Sequence, residues 1–190
     1  MNPWADMLRE RARAGLAPIE GDIRAPGLRE PVEVIRDRWG VPHVYANNVH
    51  DVFFAANYVA ASERLFQIDF LLRLANGRLS ELLGDLTLSL DRFFRTVGLN
   101  RAGRAIASAH TDFDREVFDA ATAGANAWIE TMPAKPIEYE VLGLDPSPLP
   151  AGDDGKSSRA VSGPRRKPHR GRRALRQLGS RPGRDGQGEC

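Results

Sequence analysis

Residues Val32–Gly84 of this chain read VEVIRDRWGVPHVYANNVHDVFFAANYVAASERLFQIDFLLRLANGRLSELLG, and we expect the other segments to pack around them. The side chains of residues 32–35 point alternately to two faces, which is typical of a strand. Asp37 and Gly40 would be the first and last residues of a type I turn, the positions at which Asp and Gly are favoured. Residues 41–46 then resume an extended run. The stretch therefore begins with a β-hairpin. Pro42 lacks an amide donor, so the second strand is predicted to lie at a sheet edge.

A long apolar helix is predicted directly after the hairpin. Asn47-Asn48 offers a side-chain cap, Asp51 places a carboxylate in the first turn, and a mostly apolar run continues to Ala75. Asn76-Gly77 then ends the helix, because both residue types tolerate the left-handed conformation. Apolar side chains surround more than one face of this helix. The helix is therefore expected to be buried in a larger structure than the adjacent segments of this chain can form.

The same residues form a series of motifs that resembles a known family. RDRWGVPHVYA at 36–46 is followed by D-x-F-F-A-x-x-Y-V-x-A-x-E-R-L-F-Q at 51–67 and by R-x-A-x-G-R-L-S-E-L-L-G at 73–84. In this order they resemble the amino-terminal part of the penicillin acylase family, and an ordered series is more specific than one short pattern. The likeness continues more loosely through residues 124–129 and 138–143 and stops near Leu149.

The resemblance implies both a fold and a chemistry. The implied fold class is α+β: a mostly helical α-chain-like fragment with one amino-terminal β-hairpin, part of an αββα architecture that a second chain completes. Relatives are amino-terminal nucleophile hydrolases, made as zymogens that cut themselves and expose a Ser at the start of the second chain. That Ser attacks a linear amide while its own α-amino group, with a pKa of about 8, accepts the proton. The implied substrates are small-molecule amides such as acylated β-lactam antibiotics or acyl-homoserine lactones, cleaved at a carbon–nitrogen bond.

No catalytic, substrate-binding or metal-binding residue follows from the resemblance. In relatives the nucleophile, the base and the oxyanion hole belong to the second chain, so this chain resembles a truncated fragment that we predict to be inactive alone. The residues that line the acyl pocket in relatives, and the Glu that reaches a structural calcium, fall beyond the end of the likeness. No cofactor is expected in this chain, and calcium is implied for the complete fold only. A second, β-like chain is the implied protein partner.

Composition divides the chain into three segments: an amino-terminal helix and lead-in (1–31), the acylase-like region (32–150) and a basic tail (151–190). Residues 1–150 carry 16 Lys and Arg against 21 Asp and Glu, a net charge of −5, whereas residues 151–190 carry 11 against 4, a net charge of +7. The tail has no Phe, Trp or Tyr and three large aliphatic residues. Burying so little apolar surface does not offset an ordering cost of roughly 1–2 kcal/mol per residue, so the tail is predicted to be disordered.

Two interpretations of the tail stay open. A basic Arg/Gly/Ser/Pro segment binds nucleic acid through phosphates, which gives an alternative function: a non-enzymatic helical protein with a nucleic-acid-binding tail. The other interpretation is a shift of reading frame near Leu149, because relatives continue there with a Trp and a long apolar helix. The Arg/Gly/Ala/Pro/Ser mixture favours the shift of frame, so nucleic acid is not the favoured partner.

Pattern and capping signals predict the remaining elements. A charged helix is expected at 4–14. An extended lead-in is expected at 18–31, with turns at 21–24 and 25–28. Helices are expected at 85–97 and 100–109, and another is expected to follow Thr111 as its N-cap and to end before Pro133. A short helical turn is expected at 137–142.

The residues with catalytic potential have simpler structural interpretations. His43 could act as a base, but no Ser or Cys stands beside it by local spacing, so a hydrogen-bonded structural imidazole is favoured. His50 is interpreted as a surface residue at a helix start. His110 and His169 have no neighbours in the sequence that resemble metal ligands, and four dispersed histidines do not indicate a metal site. Cys190, the single cysteine, has no base beside it and is interpreted as an unreactive thiol.

The Gly179-Ser180 pair resembles a processing site, but a lone dipeptide has almost no specificity. Charged residues in the motifs are interpreted as scaffold, and the Arg78–Glu81 pair is worth about 0.2–0.5 kcal/mol at i,i+3 spacing. The other charged pairs of this kind are Arg36 with Asp37 and Glu63 with Arg64. The helically spaced phenylalanines are expected in the core rather than around a ligand; they are Phe53, Phe54, Phe66, Phe70, Phe93 and Phe94.

The sequence leaves the compartment undetermined. Residues 1–18 contain no apolar segment of the roughly 7–15 residues that a secretory signal needs, so the chain as it stands is predicted to be cytoplasmic. Relatives in the resembled family are often periplasmic or secreted. Charged residues interrupt the longest apolar region before it reaches about 18 residues, so no membrane association is expected.

Overall fold

The computed structural model describes residues 3–150 and the backbone of residues 174–178, and it confirms the α+β class. A 3₁₀ turn (Gly84–Thr87) stands between the third and fourth helices. The elements are α1 (Pro3–Ala14), β1 (Gly21–Arg24), β2 (Val32–Arg36), β3 (Pro42–Tyr45), α2 (Val49–Ala75), α3 (Ser80–Leu83), α4 (Leu88–Val97), α5 (Leu99–Ser108), α6 (Asp112–Thr131), α7 (Ile137–Leu142) and β4 (Ala174–Leu178). Within residues 3–150, no helix combines the length and the apolar character that crossing a membrane requires.

The predicted hairpin is confirmed. Strands β2 and β3 pair antiparallel, and the turn closes where Gly40 N donates to the carbonyl oxygen of Asp37 at 2.9 Å. Gly40 has a φ of 79°, which favours glycine. The carboxylate of Asp37 accepts from the amides of Trp39 and Val41 at 2.8 and 3.0 Å. Strand β3 lies at the edge of the sheet, as Pro42 predicted.

Two further strands, β1 and β4, join the hairpin in a four-stranded sheet with the order β1-β4-β2-β3. Strand β4 runs antiparallel to β1 and parallel to β2. Residues 21–24 are extended, as expected for the lead-in, but the turn predicted there is wrong, because these residues pair with β4, far along the chain. Ala174–Leu178 of the tail forms β4, and the disorder of the tail stays a prediction. The rest of the tail, with His169, Gly179-Ser180 and Cys190, lies outside the described residues.

Helix α2 has the predicted caps. The side chain of Asn48 accepts from Asp51 N at 2.8 Å, and Gly77 follows the helix with a φ of 61°. A feature that the sequence did not reveal is a kink at Arg64, where φ is −138° and ψ is 27°. The kink divides a helix of 27 residues near its middle.

Helices α2 and α6 pack closely and form the centre of the core. Helix α6 starts with a capping box in which Thr111, the predicted N-cap, and Asp114 satisfy each other's amides. Tyr58 and Trp128 meet edge to face across the helices, with ring centroids 5.6 Å apart. The buried core residues are Ala25, Leu28, Val32, Val34, Phe54, Ala55, Tyr58, Val59, Ala61, Leu65, Ala125, Ala127, Trp128 and Tyr139.

The prediction of a phenylalanine core holds only in part. Phe54 is buried and Phe66 packs against the core, but Phe53 and Phe93 are exposed. Phe93 belongs to helix α4, which contributes no residue to the buried core cluster. The predicted helix at 85–97 thus begins as the 3₁₀ turn and becomes α-helical at Leu88, and the predicted helix at 100–109 is α5.

Candidate functional site

A cleft of about 580 Å³ lies beside the kink of α2. Its walls come from the end of α1 and the chain after it, the end of β2, the middle of α2 and the start of α7. Apolar side chains such as Leu16 and Phe66 share these walls with the charged Arg36, Glu63 and Glu138. The cleft is therefore amphipathic, with ionic groups of both signs.

Arg36 is the buried charged group of this cleft. Its relative exposure is 9%, and its Nη1 pairs with Glu63 Oε1 and donates to the carbonyl oxygen of Gly40 at 3.0 Å. The Nε and Nη2 groups have no hydrogen-bond acceptor within the described residues. The sequence interpretation placed Arg36 with Asp37 and Glu63 with Arg64, whereas the structure joins Arg36 to Glu63. No local spacing signals that pair, because its members lie on different elements.

Each histidine of the motif region lies beside a carboxylate. His43 Nε2 lies 3.5 Å from Asp37 Oδ2 at the hairpin, and His50 Nδ1 lies 3.0 Å from Asp51 Oδ1. The interpretation of His50 as a surface residue is wrong, because only 15% of its side chain is exposed and its ring stacks on Phe54. Within residues 3–150, neither imidazole is hydrogen-bonded to a hydroxyl or a thiol, so neither activates a nucleophile there.

Asp51 joins the start of α2 to the segment before β2. Its two oxygens accept from the amides of Arg29 and Glu30, each at 2.8 Å, and from Asn48 Nδ2 at 2.7 Å. Burial favours a higher pKa for this carboxyl, but these donors together with His50 hold the pKa of Asp51 below its ordinary value. The ionised Asp51 is therefore a structural clamp whose lone pairs are already used.

Asp91 is a second carboxylate clamp, later in the chain. Its oxygens accept from the amides of Leu79 and Ser80 at 2.7 and 2.9 Å, at the start of α3. Burial favours a higher pKa, but the bonds from Ser80 and Leu79 keep the pKa of Asp91 below its ordinary value. No local pattern predicted this clamp, because Asp91 lies on α4 and its amide donors lie at the start of α3.

Asp69 lies at the centre of a third network, at the end of α2. It accepts from Arg73 Nε at 2.8 Å and from the hydroxyl of Tyr139 at 3.0 Å. Burial, with the charge of Asp69, raises the pKa of Tyr139, so this phenol stays protonated and donates. Arg73 also reaches Glu81, which makes two bonds with Arg78 at 2.7 and 2.9 Å, so the predicted Arg78–Glu81 pair is confirmed.

The buried carboxylates are therefore saturated by protein donors. Within residues 3–150, no group of three or more His, Cys, Asp or Glu side chains is placed to hold a metal ion. Asp51, Asp69 and Asp91 already accept two or more hydrogen bonds each, which leaves little capacity for a cation. The described residues thus do not fit the calcium that the family implies, and no step depends on it.

Comparison with known proteins shows the family of this chain. Residues 31–158 match the family model described as penicillin amidase. The chain belongs to the penicillin amidase family. Among curated relatives, Penicillin acylase 2 proenzyme of Pseudomonas sp. (strain SE83) is 37% identical over 140 residues, which are 74% of this chain and 18% of that protein. Acyl-homoserine lactone acylase QuiP of Pseudomonas fluorescens (strain Pf0-1) is 35% identical over 118 residues, which are 62% of this chain and 14% of that protein.

The fold is also similar to a solved penicillin amidase structure. A thermostable penicillin G acylase from Alcaligenes faecalis superimposes with a TM-score of 0.58 at 30% identity, covering 62% of this chain and 65% of the compared chain. The curated relatives are much longer, and this chain spans less than a fifth of the length of those named above. The described part therefore corresponds to one part of the penicillin amidase fold.

Proposed function

We propose that this chain is the amino-terminal scaffold of an acylase that hydrolyses the carbon–nitrogen bond of linear amides. The observation that carries the proposal is the penicillin amidase match over residues 31–158. The named relatives include a penicillin acylase and an acyl-homoserine lactone acylase, so acylated β-lactams and acyl-homoserine lactones are the proposed substrate classes.

The reactive group is proposed to come from a second polypeptide. Within residues 3–150, neither His43 nor His50 has a nucleophile as a hydrogen-bond partner, and the buried carboxylates serve as clamps. An amino-terminal Ser on the second polypeptide would attack the amide carbonyl, and its own α-amino group would accept the hydroxyl proton. Backbone N–H groups would then stabilise the tetrahedral oxyanion. The word proenzyme in a relative's name agrees with processing into two chains.

A complementation assay tests this function. The purified 190-residue chain is mixed with the part of the Pseudomonas sp. SE83 proenzyme that follows the matched region, and hydrolysis of an acylated β-lactam and of an acyl-homoserine lactone is followed. We expect no turnover from either polypeptide alone and turnover from the mixture. Hydrolysis by the purified chain unaided would contradict the proposal, because it would require a nucleophile in this chain.

The alternative of a nucleic-acid-binding tail stays a prediction, because most of residues 151–190 lie outside the described part. A salt titration with duplex DNA separates the two functions. Binding that weakens steeply with salt and disappears on deletion of 151–190 would favour the tail.

A further inference from the structure

The guanidinium of Arg36, which lines the cleft at the kink of α2, has one unused edge. Its Nη1 pairs with Glu63 and donates to the carbonyl oxygen of Gly40, whereas Nε and Nη2 have no hydrogen-bond acceptor within the described residues. Nε and Nη2 form one side of the planar guanidinium, the side that meets a carboxylate through two parallel hydrogen bonds. Both nitrogens are buried, and a buried charged donor without an acceptor is unfavourable. The unused edge therefore indicates a ligand that carries a carboxylate.

The cleft has the size and the lining that suit a small organic acid. Its volume of about 580 Å³ lies within the range of small-molecule sites, roughly 300–1,000 Å³. Leu16 and Phe66 belong to an apolar part of the walls that a hydrocarbon chain or ring would contact. Apart from the pair of Arg36 and Glu63, the charged wall residues are Arg64 and Glu138, whose opposite charges do not exclude an anion.

We propose that the cleft binds a free carboxylic acid with an apolar chain or ring, in its ionised form, through the Nε and Nη2 edge of Arg36. The class of acid rests on the proposed function, because hydrolysis adds water across the carbon–nitrogen bond of an acylated amide and releases an amine and such an acid. A cleft walled by four segments of one chain favours a small molecule over a side-chain carboxylate of another polypeptide.

Glu63 competes with the acid for Arg36. The side chain of Arg36 is 10% exposed and that of Glu63 is 37% exposed, so Glu63 is the more accessible partner. Because Nε and Nη2 are shielded from solvent, the acid reaches them when the guanidinium turns toward the cleft and loosens its bond with Glu63. Glu63 also directly precedes Arg64, the residue at which α2 departs from helical geometry. The strength of the Arg36–Glu63 pair therefore sets the affinity of the cleft for the acid.

The test titrates the isotope-labelled, full-length chain at neutral pH with hexanoate and with phenylpropionate. Binding is followed by isothermal titration calorimetry and by the NMR signal of the Arg36 Nε–H group, which is identified by its loss in Arg36→Lys. Both acids should bind and should shift that signal. Acetate, which lacks an apolar part, and phenylpropionamide, which lacks the charge, should bind about tenfold more weakly or worse. Absence of binding by both acids would overturn the proposal.

Substitutions at the ion pair should change the affinity in opposite directions. Arg36→Lys keeps the charge but loses the edge with two donors, so it should weaken binding by about tenfold or more. Glu63→Gln removes the competing carboxylate and should strengthen binding by about two- to fivefold. Leu16→Glu adds a negative charge at a wall position that is 69% exposed, so it should weaken binding without disturbing the core. Asp112→Asn, at a fully exposed position on α6, is the control and should leave the affinity unchanged.

Thermal unfolding of each unbound variant shows whether it is folded, and the two exposed substitutions keep the test decisive if Arg36→Lys does not fold. Equal affinities for the parent chain, Glu63→Gln and Leu16→Glu would overturn the site and leave the proposed function to the complementation assay. Binding that depends on Arg36, with no hydrolysis in that assay, would overturn the function and keep the site.

A repeat of the titration separates the two sources of a carboxylate. It adds the SE83 polypeptide of the complementation assay, and the acids should still bind to the mixture. Complete loss of acid binding in the mixture would show that a side chain of the added polypeptide occupies the edge of Arg36, and the proposal would be wrong.

Discussion

Gly124 on α6 lies directly against the backbone of Phe54 on α2, so close that a Cβ at position 124 would overlap the carbonyl oxygen of Phe54. The neighbouring Ala55 and Ala125 are buried at the same crossing. Small residues on both helices let their backbones approach, and the larger Tyr58 and Trp128 fill the space one turn further along. The α2–α6 crossing therefore depends on the absence of a side chain at position 124.

Gly124→Ala should destabilise the chain by about 2–3 kcal/mol, because the added methyl group forces two packed helices apart. Gly103→Ala is the matched control: Gly103 also lies within a helix, but a Cβ there meets no atom within 4 Å. That substitution should be neutral or should stabilise the chain by up to about 1 kcal/mol, through higher helix propensity. Urea unfolding followed by far-ultraviolet circular dichroism measures both. Equal midpoints for the two variants would contradict the close crossing.

Asp51→Ala should lower the free energy of unfolding by about 3 kcal/mol, because it leaves the amides of Arg29 and Glu30 without their acceptor. Asp51→Asn keeps one acceptor oxygen and should cost less. Asp112→Ala is the control, since Asp112 is fully exposed on the first turn of α6. If Asp51→Ala lowers the free energy of unfolding no more than Asp112→Ala does, the clamp contributes nothing to folding.

Acid should destabilise the chain through the same carboxylate. The pKa of Asp51 is lowered in the folded state, so its ionised form stabilises the fold above the unfolded-state pKa of about 3.9, and this contribution is lost as the pH falls through the lower folded-state value. Asp51→Asn removes the titrating group. We therefore expect the unfolding free energy of Asp51→Asn to depend less on pH below about 4 than that of the parent chain. Parallel pH profiles would rule out a depressed pKa at this position.

Local signals predicted the hairpin and the long helix, because their determinants lie within a few residues of one another. The turn from Asp37 to Gly40, the Asn48 cap and the Thr111 cap each act over three or four positions. The roles of Asp91 and Arg36 were not predictable in this way, since their partners lie on other elements. Of the charged pairs in the motifs, Arg78–Glu81 was predictable because its members lie three residues apart, whereas the pairing of Arg36 with Glu63 was not.

The kink of α2 and the additional strands were missed for different reasons. Arg64 is neither Pro nor Gly, so no residue type marks the break in the helix. Residues 21–24 contain one large aliphatic side chain and a glycine, a composition that favours a turn. They become a strand because β4 pairs with them from the other end of the chain. Strand pairing over such a separation has no local pattern to reveal it.

The position of β4 leads to a prediction about the tail. Gln177 lies opposite Gly21 of β1 and opposite Val34 of β2, so its strand is hydrogen-bonded on both sides. Gln177→Pro removes the backbone N–H and, in a strand with two neighbours, is expected to cost about 1–3 kcal/mol. Gln177→Ala keeps the N–H and should retain the stability of the parent chain. Urea unfolding, with hydrogen exchange at the amides of residues 32–36, measures the loss. Identical stability and exchange in both variants would show that the 174–178 strand does not support the sheet.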